Sequence, residues 1–151
     1  MKIVHSSEVP WSQAIDRGHF CGRRKPLGGA RLTAGLWELP PGKKSFPLHA
    51  HHATEEALYV VSGTASVRTP EGQTPIRPGD YVSFPAGGPA HQLVNDGSER
   101  LVYLALSAIS DVDVVEYPDS GKVAISVGPY PSRKRWVFRE KDQADYFDGE
   151  G

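Results

Sequence analysis

The chain has 151 residues, enough for one domain around a single core. With 17 Lys and Arg against 18 Asp and Glu, its formal charge is −1, so no basic excess draws it to nucleic acid or an anionic membrane. A single cysteine, Cys21, excludes an intrachain disulfide and a thiolate-rich metal site, and no apolar run is long enough for a signal peptide or a bilayer span. A cytoplasmic protein is expected.

Residues 1–30 read as an irregular arm, because Pro10, Gly18, Gly22, Pro26, Gly28 and Gly29 interrupt any helical pattern. From Arg31 onward, short apolar runs are bounded by turn residues. Residues 31–39 form a predicted strand that stops at Pro40, Pro41 and Gly42, and residues 55–61 and 64–68 form two more that meet at Ser62-Gly63. Residues 69–73 (TPEGQ) suit a tight turn, with Gly72 free to take positive φ. Further strands are expected at 81–84, 91–95, 100–107, 112–117 and 121–127. Short strands at regular spacing, without a sustained 3.6-residue period, predict an all-β barrel or sandwich over residues 31–127. The stretch RLVYLALS (100–107) is apolar on both faces, which fits a sheet covered by a partner copy or by the arm. Residues 128–151 run from aromatic and basic to acidic and are expected to pack as a tail on the barrel exterior.

Three of the six histidines fall within four positions, in LHAHHATEEALYVVSG. On a strand, His49 and His51 point the same way and His52 the opposite way. Two imidazoles so placed reach a common ion a little over 2 Å from each ring nitrogen. A glutamate on the following strand adds an anionic oxygen. His91, which opens the apolar run HQLVN, is the candidate fourth ligand. His52 is a neighbour, His19 and Cys21 read as structural or solvent residues of the arm, and His5 as a terminal residue. Trp37 is a packing residue that could line the barrel mouth.

These residues resemble the two sequence motifs of the cupins. Residues 42–63, GKKSFPLHAHHATEEALYVVSG, are similar to the first motif: glycine, His-x-His, a short gap, glutamate, six residues, glycine. Residues 79–95, GDYVSFPAGGPAHQLVN, are similar to the second: glycine, five residues, Pro-x-Gly, a gap, histidine, three residues, asparagine. The gaps from Gly42 to His49 and from Gly87 to His91 are each one residue longer than usual, and both extra residues lie in turns. Glu55 and Glu56 both suit the gap after His51. Only Glu56 has six residues before Gly63, and it shares a face with Leu58 and Val60. Glu55 is then outward-facing or a supporting neighbour of the ligands.

The resemblance implies a single-domain cupin jelly roll, or double-stranded β-helix barrel, that forms a homodimer. His49, His51, Glu56 and His91 would bind one divalent transition metal ion, and three imidazoles with one carboxylate suit Fe, Mn, Ni, Zn or Cu. A metal-dependent enzyme acting on a small oxygen-rich substrate follows, of isomerase, decarboxylase or dioxygenase type. The alternative is a non-catalytic small-molecule binding or sensing module with a structural metal. A metal-free, epimerase-like site built on a His/Tyr pair is disfavoured by the full ligand set. Acid–base candidates are Tyr59, Tyr81, Tyr103 and Glu38. The turn YPDSGK (117–122) also resembles a segment of bacterial cupins of unassigned function, some labelled sugar-phosphate isomerase-like.

Overall fold

In the computed structural model, which describes residues 1–151, the chain is built from thirteen strands, and its only helical elements are three-residue 3-10 turns. No helix is long and apolar enough to cross a membrane. The strands are β1 (Ser12–Arg17), β2 (Phe20–Gly28), β3 (Leu32–Leu39), β4 (Ala50–His51), β5 (Glu55–Ser62), β6 (Ala65–Thr69) and β7 (Gly72–Ile76). They continue as β8 (Tyr81–Phe84), β9 (Gln92–Val94), β10 (Leu101–Ala108), β11 (Val112–Tyr117), β12 (Lys122–Val127) and β13 (Lys134–Arg139). All pair antiparallel, in sheets of order β1-β2-β3-β10-β5-β8, β7-β6-β9 and β13-β12-β11-β4. The all-β jelly roll expected from the sequence is the fold of the chain.

Alternation along the strands decides what faces inward. On β5, Leu58 and Val60 are buried while Glu55 and Tyr59 are exposed. On β10, Leu101 and Tyr103 are buried and point with them. Together with Leu39 they meet Ala65, Val67, Ile76 and Leu93 of the three-stranded sheet, forming one apolar cluster. Each fully buried side chain of this kind contributes about 1.5–3 kcal/mol. The cluster fills one end of the barrel. Further along the same inner rows, the side chains become Glu56 on β5 and Ala105 and Ser107 on β10, so the other end is polar and open.

Two residues of the sequence motifs hold the closed end. Gly63 turns β5 into β6 at φ +78°, and a Cβ there would lie 2.3 Å from the Arg100 carbonyl oxygen. Only glycine fits. The fully buried Asn95 donates from Nδ2 to the carbonyls of Leu39 and Glu99 and accepts from the Gly97 N–H.

The structure corrects the sequence reading in three places. The arm is not irregular: β1 and β2 form a hairpin around Gly18 (φ +63°), and β2 pairs with β3 to extend the large sheet. Little of the hairpin is buried, so no hydrophobic alternation announced it. Residues 72–76 are strand β7, although they contain Pro75. That strand lies at a sheet edge, where a missing N–H costs no ladder bond. The C-terminal segment is in part a regular strand: β13 adds to the free edge of β12 by backbone pairing, with all six residues exposed.

Candidate metal centre

His49 and His91 are directly opposed across a backbone bridge. His49 N donates to the His91 carbonyl at 3.2 Å, and His91 N to the His49 carbonyl at 2.8 Å. Opposed residues project to the same face, so this bridge sets their rings 4.7 Å apart, centroid to centroid. One step on, His51 is fixed by pairing of β4 with Val115 of β11. Glu56 enters from β5, flanked by Ser107 of β10 and Phe84 of β8.

The four side chains converge on one oxygen. Glu56 Oε2 lies 3.7 Å from His49 Nε2, 3.6 Å from His51 Nε2 and 3.4 Å from His91 Nε2. The ligand atoms of His49, His51 and Glu56 all fall within 4.8 Å of one another, and His91 joins them through Glu56. The other carboxylate oxygen, Oε1, accepts from the Ser107 hydroxyl at 2.9 Å. Burial works to raise the Glu56 pKa, but the surrounding His49, His91 and His51 outweigh it and hold the carboxyl well below its ordinary value.

The outer ring nitrogens decide which atoms face inward. His49 Nδ1 lies 2.8 Å from the Pro47 carbonyl oxygen, and His51 Nδ1 2.5 Å from Asp113 Oδ2. Both partners only accept, so each Nδ1 carries a proton, and Nε2 is the ring atom turned toward Glu56. His91 stacks face to face on Phe84 at 3.8 Å, and its buried Nδ1 has no partner.

Asp113 is the functional residue missed by the sequence reading. It stands on β11, 62 positions from His51, with its side chain only 1% exposed. Its Oδ1 accepts the N–H groups of Ala53 and Thr54 at 2.9 and 3.3 Å. Burial raises its pKa, but the His51 ring, the Ala53 N–H and the Thr54 side chain prevail and hold it below the usual carboxylate value. The only sequence signal was an aspartate on the apolar face of VDVVEY, in step with the buried Val115.

The remaining candidates separate cleanly. Glu55 is exposed, and His52 pairs with Glu116 on the outside at 2.9 Å. No second cluster of three ligand-type side chains forms around His19 and Cys21. Tyr59 and Tyr81 face each other on the outer surface, and Glu38 binds Arg23 and Arg100. Tyr103 alone of the acid–base candidates lines the cavity beside the centre, and burial, followed by the Glu56 charge, pushes its pKa up. That cavity has a volume of about 140 Å³ and is walled chiefly by Trp37, Phe46, Phe84, Leu93, Tyr103 and Ala105. In the YPDSGK turn, Tyr117 stacks beside His49 at 6.2 Å, and Asp119 receives both guanidinium nitrogens of Arg68 at 2.6 and 2.9 Å.

Residues 35–107 match the family model of the cupin domain. The chain is 30% identical to a candidate sugar phosphate isomerase from Acidithiobacillus ferrooxidans, with a TM-score of 0.79 over 92% of this chain and 90% of that one. A sugar phosphate isomerase from a cupin superfamily, from Silicibacter pomeroyi, is 21% identical with a TM-score of 0.79, covering 97% of this chain and 98% of its own. The polyketide cyclase RemF from Streptomyces resistomycificus is 23% identical at a TM-score of 0.62, over 71% of this chain and 78% of its own. The last two likenesses concern the fold alone. No curated protein sequence matches the chain.

Proposed function

This chain belongs to the cupin family, and on that premise we propose that it is a metal-dependent enzyme acting on a small oxygen-bearing molecule in the barrel cavity. His49, His51, Glu56 and His91 would hold one divalent transition ion. The observation that carries the reading is the donor set: three imidazole Nε2 atoms lie 3.4–3.7 Å from one Glu56 carboxylate oxygen, and Pro47 and Asp113 take up the outer Nδ1 of two of them. When bound, the ion supplies Lewis acidity toward a substrate oxygen.

The chain's own groups do the rest. Ser107 fixes Glu56, Asp113 and Pro47 orient two imidazoles, and Phe84 holds the plane of the third. Tyr103, with its pKa raised, keeps its phenolic proton at neutral pH and lines the same cavity as a candidate proton donor. Isomerisation is the reaction to test first, because that is the activity named for the Acidithiobacillus relative. Decarboxylation and oxygen chemistry are the alternatives, and the resident metal separates them.

The test is metal analysis of freshly purified wild type and His91→Ala, followed by thermal-shift screening of the loaded protein with sugar phosphates, keto acids and small aromatics. One metal per chain in the wild type, loss in the variant and at least one stabilising compound are expected, through linkage. Unchanged metal content in His91→Ala refutes the ligand set.

The same reading includes a homodimer. The outer face of the large sheet carries exposed Tyr59, Val61 and Tyr81 next to half-buried Leu36, Leu104 and Leu106, a patch suited to a second copy. Light scattering should give twice the chain mass, and Tyr59→Lys should shift it toward the monomer.

A further inference from the structure

Next to the metal cavity lies a second hollow of about 270 Å³, with Trp37, Ala105 and Ser107 as the shared wall. It occupies the inner face of the large sheet where that face runs from β10 across β3 onto β2, the strand that the sequence reading left in an irregular arm. In the β2–β3 register Arg24 lies opposite Trp37, so the two side chains leave the sheet on the same side. The Arg24 guanidinium accordingly sits over the Trp37 ring, 5.9 Å from its centroid.

Arg24 is uncommitted. Its neighbour Arg23, on the other face, is neutralised by Glu38 at 2.6 Å, whereas none of the chain's ion pairs includes Arg24. The Trp37 indole N–H likewise has no acceptor within the protein. It lies above Gly35, where a Cβ would come within 3.3 Å of Nε1. Gly35 and Ala105 keep the floor low, so the two donors face open space. The metal cavity itself is lined by no Lys or Arg.

Resting on the metal reading above, we propose that this vestibule is an oxyanion subsite. It holds a carboxylate or phosphate at one end of a small ligand whose other end reaches the four-residue centre. A guanidinium presents paired donors that match such groups, and the indole N–H supplies a third. The anion belongs in the vestibule, because an anion in the apolar cavity would lack a side-chain counter-charge. Arg24 is then a specificity-determining residue.

The test follows the Trp37 indole N–H resonance, assigned with Trp37→Phe, in proton–nitrogen correlation spectra at constant ionic strength. Inorganic phosphate and acetate are titrated separately into metal-free and metal-loaded protein. A saturable shift is expected with at least one anion, and which anion gives it identifies the source of the charge. The half-saturation concentration should rise about tenfold in Arg24→Gln, the loss of one charge-assisted contact, and less in Arg24→Lys. Metal affinity should stay within about twofold of wild type in both variants, since neither touches the ligands. No saturable shift with either anion, or an equal response in Arg24→Gln, overturns the subsite. Metal uptake without an anion response refutes the subsite alone. An Arg24-dependent response in a protein that takes up no metal supports the subsite and refutes the metal reading.

Discussion

Replacing Asp113 with Asn tests whether tautomer control prepares the metal centre. In the wild type, Oδ2 accepts the Nδ1 proton of His51 at 2.5 Å while Oδ1 accepts two backbone N–H groups. An asparagine oxygen would stay with the backbone donors, because the alternative leaves two buried N–H groups unpaired. The amide NH₂ then faces His51 Nδ1 and requires it to accept. The imidazole proton moves to Nε2, where it points at Glu56 Oε2, 3.6 Å away, and takes the lone pair that a metal needs. Loss of an orienting partner typically costs 10–100-fold in metal affinity, about 1.4–2.7 kcal/mol. A tautomer reversal places Asp113→Asn at the upper end of that range. Competitive titration against a chelator measures the affinity, and long-range proton–nitrogen spectra of the metal-free protein report which His51 nitrogen is protonated. Wild-type affinity together with an unreversed tautomer would refute the reasoning.

Three further outcomes are expected. Glu56→Gln should empty the metal site, since a neutral amide is a far poorer donor for a divalent ion, while the exposed Glu55→Gln should leave metal content near wild type; the reverse result would overturn the strand register. In metal-free protein, the stabilising contribution of Asp113 should depend on pH with a definite sign. Its folded pKa lies below the unfolded value of about 3.9, so the contribution is complete above that value and is lost as pH falls through the folded pKa. The Tm difference between wild type and Asp113→Asn should therefore shrink only below about pH 4, and a difference that collapses near neutrality contradicts the assignment. Leu101→Ala, at a fully buried position in the core cluster, should cost about 2–5 kcal/mol in denaturant unfolding while sparing metal binding, because Leu101 does not line the metal cavity.

What the sequence by itself determined is what local periodicity and short spacings encode. Two-residue alternation put His49 and His51 on one side and His52 on the other. The resemblance to the cupin motif, with six residues before Gly63, picked Glu56 over Glu55, and the structure has Glu56 turned inward and Glu55 exposed. Turn residues between apolar runs marked most of the strands from β3 to β12, but not the edge strand β7, which buries only Ile76. Elements without such a face left no mark: the β1–β2 hairpin and β13 are held mainly by backbone pairing at sheet edges, and backbone pairing has no side-chain signature. The relations across the barrel belonged to the tertiary structure alone. His91 meets His49 through a bridge over 42 residues of chain, Asp113 meets His51 across 62, and Arg24 reaches Trp37 only because β2 pairs with β3. Sheet register, closed by the packing of Leu39, Val60 and Leu101, brings these groups together, and no spacing along the chain carries that information.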